Sequence, residues 1–357
     1  MGSSLTIQSI TVSPLQAPLL QPFRIAVGQH DTLDNVLVTL TLANGVKGYG
    51  EAAVATHITG ETIPQTVQHL KSANRFLKGQ DASDYLAISA QLHEAWPHNA
   101  CAIAAVEMAI FDAMTRHLRM PLWRLWGHRP SQLNTDITIV IGDLNETAAK
   151  TKDFYRRGFR SFKIKVGRDM DLDIKRVLAV HAIARKSQII LDANQGYCAR
   201  EALQLLKSLA KAGIVPHLIE QPVPKNDWDG LKQVTRSTKV CVCADESVSS
   251  LPQTIRAIKE KAVGAINIKL MKTGIVQSVA ISRWAKANGL KLMIGGMMES
   301  NLAMTASAHL ATGLGCFDFI DLDTPFFIKG AVDQNPWLSA KGVYDLSKVK
   351  AGIGIKP

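Results

Sequence analysis

Cysteine is scarce in this 357-residue chain and unorganised where it occurs: five residues, an odd number, with no C-x-x-C pair. That argues against a disulfide framework or a zinc ribbon and fits a reducing compartment. Long apolar runs are missing too, since no stretch approaches the roughly 18 uncharged apolar residues of a membrane helix. The N-terminus has no charged segment followed by an apolar core, so the expectation is a cytoplasmic protein without a secretory signal or membrane partner. Met1-Gly2-Ser3-Ser4-Leu5-Thr6 matches a myristoylation pattern, which chance also supplies. Acidic residues are outnumbered, 30 against 41 basic ones, for a net charge of +11. The basic residues lie along helix-like segments without aromatic interleaving, and the densest run, Lys150 to Lys186, is interrupted by Asp153, Asp169, Asp171 and Asp173. A solvated face explains them better than a nucleic-acid footprint, so no nucleic-acid partner is expected. Hydrophobic residues make up 46% of the chain, enough for a sizeable core.

Residues 1–125 read as α+β. Leu5–Val12 alternates like a strand, and Val36–Leu42 and Val46–Glu51 flank an Asn44-Gly45 turn as a hairpin. Helical periodicity runs through Thr62–Leu77, Tyr85–Ala95, Ala100–Thr115 and Leu122–Trp126. From Asn134 the rhythm changes. Strand-like runs at Asp136–Ile141, Ser161–Val166, Gln188–Asp192, His217–Glu220, Val240–Asp245, Ala265–Lys269, Lys291–Gly295 and Phe317–Asp323 alternate with helical segments. Eight such units predict a parallel sheet closed into a βα barrel.

The polar residues that interrupt these runs are regularly spaced. Lys165, Asp192, Glu220, Asp245, Lys269, Met297 and Asp321 are separated by 27, 28, 25, 24, 28 and 24 residues, one βα unit each. Strand ends of a βα barrel converge on one mouth, so these residues are expected around one cavity. Asp192, Glu220 and Asp245 end three successive strands. Any one of them alone reads equally well as a helix N-cap. Three carboxylates in one cavity repel unless a cation lies among them, and an all-oxygen set favours Mg²⁺. Asn194, two residues past Asp192, suits a supporting or turn role.

Alternation places Lys163 and Lys165 on one strand face with Ile164 on the other. Lys269, four strands further on, falls roughly across the mouth from Lys165. Two lysines facing each other over a carboxylate-held cation suit removal of a proton from the α-carbon of a bound carboxylate on one face and its return on the other. The metal and Lys163 would stabilise the enolate, and nearby positive charge is expected to lower the lysine pKa values.

Together, Lys163-Ile164-Lys165, Asp192-Ala193-Asn194-Gln195-Gly196, Glu220-Gln221-Pro222, Ala244-Asp245-Glu246-Ser247 and Asn267-Ile268-Lys269-Leu270 resemble the muconate-lactonising subgroup of the enolase superfamily. The resemblance covers nearly the whole chain. It implies an α/β fold: a modified (β/α)₇β TIM-type barrel over residues 126–323, an α+β capping domain over residues 1–125, and a C-terminal segment, 324–357, returning to the cap. It also implies one Mg²⁺ on Asp192, Glu220 and Asp245, acid/base roles for Lys165 and Lys269, and supporting places for Asn194 and Glu246.

Within the subgroup, Asp321-Leu322-Asp323 is similar to the Asp-x-Asp of dipeptide epimerases, implying a carboxylate pair for a dipeptide's free ammonium. Two turn-forming Asp before Thr324-Pro325 are the plainer alternative. Met297-Met298-Glu299-Ser300 also resembles that group, and two thioethers suit an apolar side chain, though ordinary packing suits them too. Thr138 is a candidate contact to the substrate carboxylate. Mobile cap loops at Gln21–Gln29 and Ala53–Glu61 are expected to set specificity. Some Ala-Glu epimerases carry an Arg in the first loop; the matching position here is Gly28, and Arg24, four residues earlier, is a candidate substrate contact.

The expectation is an isomerase: a Mg²⁺-dependent epimerase inverting the C-terminal residue of an L,L-dipeptide with an uncharged or apolar second side chain, working as a homo-oligomer. An acidic Ala-Glu epimerase is one alternative. Succinylbenzoate-synthase or muconate-cycloisomerase chemistry is another, but its substrates lack an amine for Asp321 and Asp323.

Overall fold

The computed structural model describes residues 5–26, 28–128 and 130–357; the Met1–Ser4 part of the myristoylation pattern lies outside them. The chain opens with a three-stranded antiparallel sheet, β1 (Ile7–Ile25), β2 (Gly28–Leu42) and β3 (Lys47–Ala52). The Asn44-Gly45 turn forms where alternation and turn chemistry require it, with Gly45 at a φ of 82°. The segment expected as a first cap loop is instead largely strand. Phe23 pairs with His30, Arg24 with Gln29 and Ile25 with Gly28, so the β1–β2 ribbon runs to its tip. The second expected loop contains a one-turn helix, Thr56–Thr59.

Helix Ala100–His117 lies against this sheet and is buried almost throughout. It lies so close to β3 that a Cβ on Gly50 would overlap the Ala105 carbonyl, which only glycine avoids.

A short strand, β4 (Leu133–Asn134), leads into β5 (Ile137–Ile139), β6 (Ser161–Lys165), β7 (Gln188–Asp192), β8 (Leu218–Glu220), β9 (Cys241–Ala244), β10 (Ala265–Ile268), β11 (Lys291–Ile294) and β12 (Phe319–Ile320). These eight pair in parallel in chain order. The Asp136 amide donates to the Ile320 carbonyl at 2.9 Å, joining the last strand to the first. Among the described residues one helix lies between each consecutive pair, and no barrel helix follows β12. The spacing predicts eight strands in a βα barrel, and the missing eighth helix is the (β/α)₇β form the resemblance implies.

The C-terminal segment ties both layers together. β13 (Val343–Tyr344) pairs with β4, Ile328 bridges to Leu19 of the cap, and the Ile353 amide donates to Asp112 of the long cap helix at 2.7 Å. Among the described residues no helix is long and apolar enough to cross a membrane.

Two buried acids join cap to barrel. Glu51 of β3 accepts from the amides of Ser300 and Ala303 and from the Ser300 hydroxyl, at the N-terminus of helix Asn301–Leu314. Glu107 accepts from the amides of Ile275 and Val276 at 2.6 and 3.0 Å. Those amides are free because Gly274, at φ 70°, breaks the helix running from Leu270 to Ala287.

Burial pushes the Glu107 carboxyl from 4.5 up to about 7. Between those values the folded protein holds a proton that the unfolded chain has lost, so stability falls as pH rises through that window. Glu107→Gln removes the titration. Calorimetry from pH 5 to pH 8 is expected to show the wild-type Tm falling relative to the variant, with a constant difference above that.

Candidate active site

Strand alternation builds the site in two levels. Ile190, Leu218, Cys243, Ala265, Met293 and Phe319, one from each of β7–β12, form a small apolar cluster separate from the main core. They floor the barrel. Two residues further along, the same alternation brings Asp192, Glu220, Asp245, Asn267 and Asp321 to the mouth. Lys165 is in register with Asp192, and Asp192 with Glu220.

The charges at this mouth are buried and interlocked. Lys163 Nζ lies 2.9 Å from Asp192, 2.7 Å from Glu220 and 2.6 Å from Asp321. Lys165 Nζ donates to Asp192 at 2.6 Å and to Asn194 Oδ1 at 3.1 Å. Lys269 donates to Asp245 Oδ2 at 2.7 Å. Lys272 meets the other Asp245 oxygen at 2.8 Å and the carbonyls of Asp245, Val248 and Asn267 at 2.7, 3.1 and 2.9 Å.

Burial opposes ionisation of Asp192 and Asp245, yet both stay well below the usual carboxylate range. Lys163 and Lys165 outweigh burial at Asp192, and Lys269 and Lys272 at Asp245. Glu220 has less compensation, and burial followed by the Asp192 charge raises it to about 7.

The expected lowering of the lysine pKa values does not occur at Lys163 or Lys269. Burial disfavours their charge, but Asp192, Asp321 and Glu220 hold Lys163 well above its usual range, and Asp245 and Glu220 do the same for Lys269. Amines and carboxylates here hold one another charged: the lysines keep Asp192 and Asp245 ionised, and the carboxylates keep Lys163 and Lys269 protonated.

The donors suit a hard cation. Asp192, Glu220 and Asp245 supply buried carboxylate oxygen from three consecutive strands. Among the described residues Glu220 Oε2 accepts no well-formed hydrogen bond despite its nearness to Lys163, and neither oxygen of neighbouring Glu246 has a hydrogen-bond partner. Burial and the Asp245 charge raise Glu246 to about 8. Such orphaned oxygens in a dry site favour a divalent ion. The tightest carboxylate group among the described residues is a different one, Asp136, Asp321 and Asp323.

The cavity over these groups is lined by Lys163, Lys165, Lys269, Asn194, Thr138, Asp321 and Asp323 below, and by apolar walls that include Met297 and Met298. Asp323 accepts from the Thr138 amide at 2.6 Å. Phe23, Ile25, His30, Ala55 and Ile58 close it from the cap. Its volume is about 50 Å³, below the roughly 300–1,000 Å³ of ligand pockets, so entry of a substrate requires these cap residues to move outward.

Arg24 is not in this cavity. It faces a separate groove of about 300 Å³ beside helix Leu144–Arg157, 4.0 Å from Glu146 and bonded to Gln29.

Sequence reasoning missed Asp136, Asn267, Lys272 and the wall residues Phe23, Ile25 and His30. Period two from Lys269 and from Thr138 points to Asn267 and Asp136. Nothing in the chain marks Lys272 or His30.

The matches to known proteins span both layers. Residues 7–127 match the N-terminal domain of the mandelate racemase/muconate lactonizing enzymes, and residues 146–357 the enolase C-terminal domain-like family. The chain is 50% identical to a hydrophobic dipeptide epimerase of Citrifermentans bemidjiense, over 100% of this chain and 99% of that protein. It is 42% identical to an aromatic dipeptide epimerase of Herpetosiphon aurantiacus, over 98% of each. A solved dipeptide epimerase of Enterococcus faecalis, complexed with Mg and L-Leu-L-Tyr, superposes with a TM-score of 0.93 at 32% identity, covering 99% of this chain and 100% of that one. With its two layers matched in order and nearly end to end, the chain belongs to the mandelate racemase/muconate lactonizing enzyme family of the enolase superfamily.

Proposed function

We propose that the protein is a Mg²⁺-dependent epimerase that inverts the C-terminal α-carbon of L,L-dipeptides bearing a hydrophobic second side chain. The observation that carries this reading is the common cavity of Lys165, Lys269, Asp321 and Asp323, with three acidic strand ends directly beneath. Relatives named for hydrophobic and aromatic dipeptides support it.

Asp321 and Asp323 bind the free ammonium of the dipeptide, a charge-assisted contact in a water-poor site. That anchor sets how far the C-terminal residue reaches into the cavity. The Nζ of one lysine takes the α-proton, leaving a planar enolate, and the Nζ–H of the other returns a proton to the opposite face. Lys163, fixed by three carboxylates, adds positive charge beside the substrate carboxylate. Asp192, Glu220 and Asp245 would hold Mg²⁺, which when bound would supply charge to stabilise the deprotonated substrate and offset the carboxylates that anchor the lysines.

The walls specify the side chain. Phe23, Ile25, Ala55, Ile58, Met297 and Met298 are apolar, and burial, against the charge of Asp31, lowers the pKa of His30 and so disfavours a positive charge there. With Arg24 outside, a glutamate side chain laid against these walls would meet no arginine or lysine belonging to them. The acidic-dipeptide alternative is therefore disfavoured, and a cycloisomerase substrate lacking an amine would leave Asp321 and Asp323 without a counter-ion.

Incubation with Mg²⁺ and L,L-dipeptides in D₂O, read by mass spectrometry, is expected to show α-deuteration and D-epimer formation. Lys165→Ala and Lys269→Ala each lose roughly 10²–10⁴-fold in epimerisation, while the remaining lysine exchanges the α-proton of one epimer only. Normal turnover in either variant rules out the two-base mechanism.

For specificity, kcat/KM for L-Ala-L-Leu is expected to exceed that for L-Ala-L-Glu by roughly 100-fold or more. Added Mg²⁺ raises the wild-type Tm by preferential binding to the folded state. That shift is expected to vanish in Glu220→Gln, and its persistence would place the ion elsewhere.

A further inference from the structure

A third carboxyl stands behind the ammonium seat. Asp136, just before β5, is 1% exposed, and neither of its oxygens has a hydrogen-bond partner among the described residues. One oxygen each of Asp136, Asp321 and Asp323 lies within 4.8 Å of the others. Only Asp321 and Asp323 line the cavity.

The two cavity carboxylates already have partners: Lys163 Nζ lies 2.6 Å from Asp321, and the Thr138 amide donates to Asp323 at 2.6 Å. Asp136 has two acidic neighbours and no donor. A buried carboxylate so placed is costly, whereas the neutral acid costs little and brings an O–H with two acceptors in reach. We propose that Asp136 is a proton-bearing positioning residue: its neutral carboxyl donates to the Asp321–Asp323 pair and holds that pair in place for the substrate ammonium.

The surrounding charges agree. Burial comes first, then the charges of Asp321 and Asp323, in raising the Asp136 carboxyl well above the usual range, against the opposing charge of Lys163. Lys163 is also shared with Asp192 and Glu220, so it cannot neutralise three further acids. The Tyr344 hydroxyl, which feels the charge of Asp323, is committed to the Leu322 carbonyl at 2.9 Å. With one proton on Asp136, the three acids carry two negative charges, set against Lys163 and one incoming ammonium.

The proposal rests on the reading of Asp321 and Asp323 as an ammonium seat, and its test separates the two. Asp136→Asn keeps a donor in place, and Asp136→Leu removes it. Steady-state kinetics with an L,L-dipeptide and with its des-amino analogue are compared for both. In Asp136→Asn, KM for the dipeptide is expected to stay within about threefold of wild type. In Asp136→Leu it rises about tenfold or more with kcat little changed, while KM for the des-amino analogue does not move. The infrared difference spectrum of wild type minus Asp136→Asn is expected to contain the carbonyl band of a buried carboxylic acid, a readout independent of turnover and of whether the Leu variant folds.

Loss in Asp136→Asn as large as in Asp136→Leu would overturn the proposal, because the charge rather than the proton would then matter. Absence of the infrared band would do the same. So would a second bound Mg²⁺ per chain, measured calorimetrically in the wild type and lost in Asp136→Asn, since the three acids would then be a metal site. Should wild type epimerise no dipeptide while the band is present, the epimerase reading fails and the protonated Asp136 stands.

Discussion

The site depends on one constraint: charges inside the barrel mouth are too deeply buried to exist unpaired. Isolated buried ions cost many kilocalories, and removing one partner of a buried pair typically costs about 3–5 kcal/mol. Lys163 bridges β7, β8 and the end of β12 through Asp192, Glu220 and Asp321. It therefore fixes three strand ends against one another while leaving Lys165 and Lys269 at the cavity wall. Lys272 performs a similar task for Asp245, using four acceptors to hold a single carboxylate and the loop that follows it. Lys163 and Lys272 scaffold, and Lys163 shares the substrate space with Lys165 and Lys269.

Barrel geometry makes such an arrangement attainable from distant sequence. Each βα unit returns the chain to the same level, so residues 24 to 28 positions apart become neighbours. The floor of Ile190, Leu218, Cys243, Ala265, Met293 and Phe319 fills the barrel below, keeping water from the charged level above it. Apolar packing and polar site thus share the same strands, divided by position along each strand.

Much of this was legible in the chain, and the reasons are specific. The lysines of β6 were readable because Lys163 and Lys165 flank Ile164 in a strand whose other face is apolar, and period two leaves no alternative. The metal-type acids were readable because each ends an apolar run one βα unit after the last. Asp136 escaped because it precedes its strand rather than ending it, and a lone Asp at a strand start is common in turns. Arg24 departs from expectation for the opposite reason. The Gln21–Gln29 stretch has the composition of a loop, but it forms the paired tip of a β-ribbon, and pairing directs Arg24 outward beside Gln29. The lysine pKa values depended on which carboxylates meet which amine, and that is a tertiary fact which spacing does not carry.

The cap and the substrate wall are one mechanical unit. Asn35 of β2 donates both to Glu51 and to the Met298 carbonyl, at 2.7 and 2.8 Å, while Glu51 holds the start of the helix that follows Met298. The loop bearing the thioethers is therefore pinned by buried cap residues, whereas Phe23, Ile25 and His30 lie near the ribbon tip, which the Ile141 amide on the Arg24 carbonyl, the partly exposed Arg168 on the Ala26 carbonyl and the Phe23–Phe327 ring contact hold to the barrel side. Opening the 50 Å³ cavity is cheapest at the tip and costly at the Met298 side, because separating Glu51 from Ser300 strands buried donors. Admission of substrate and choice of substrate are then assigned to different walls: the ribbon tip yields to let a dipeptide in, and the pinned loop keeps the shape against which its side chain is judged.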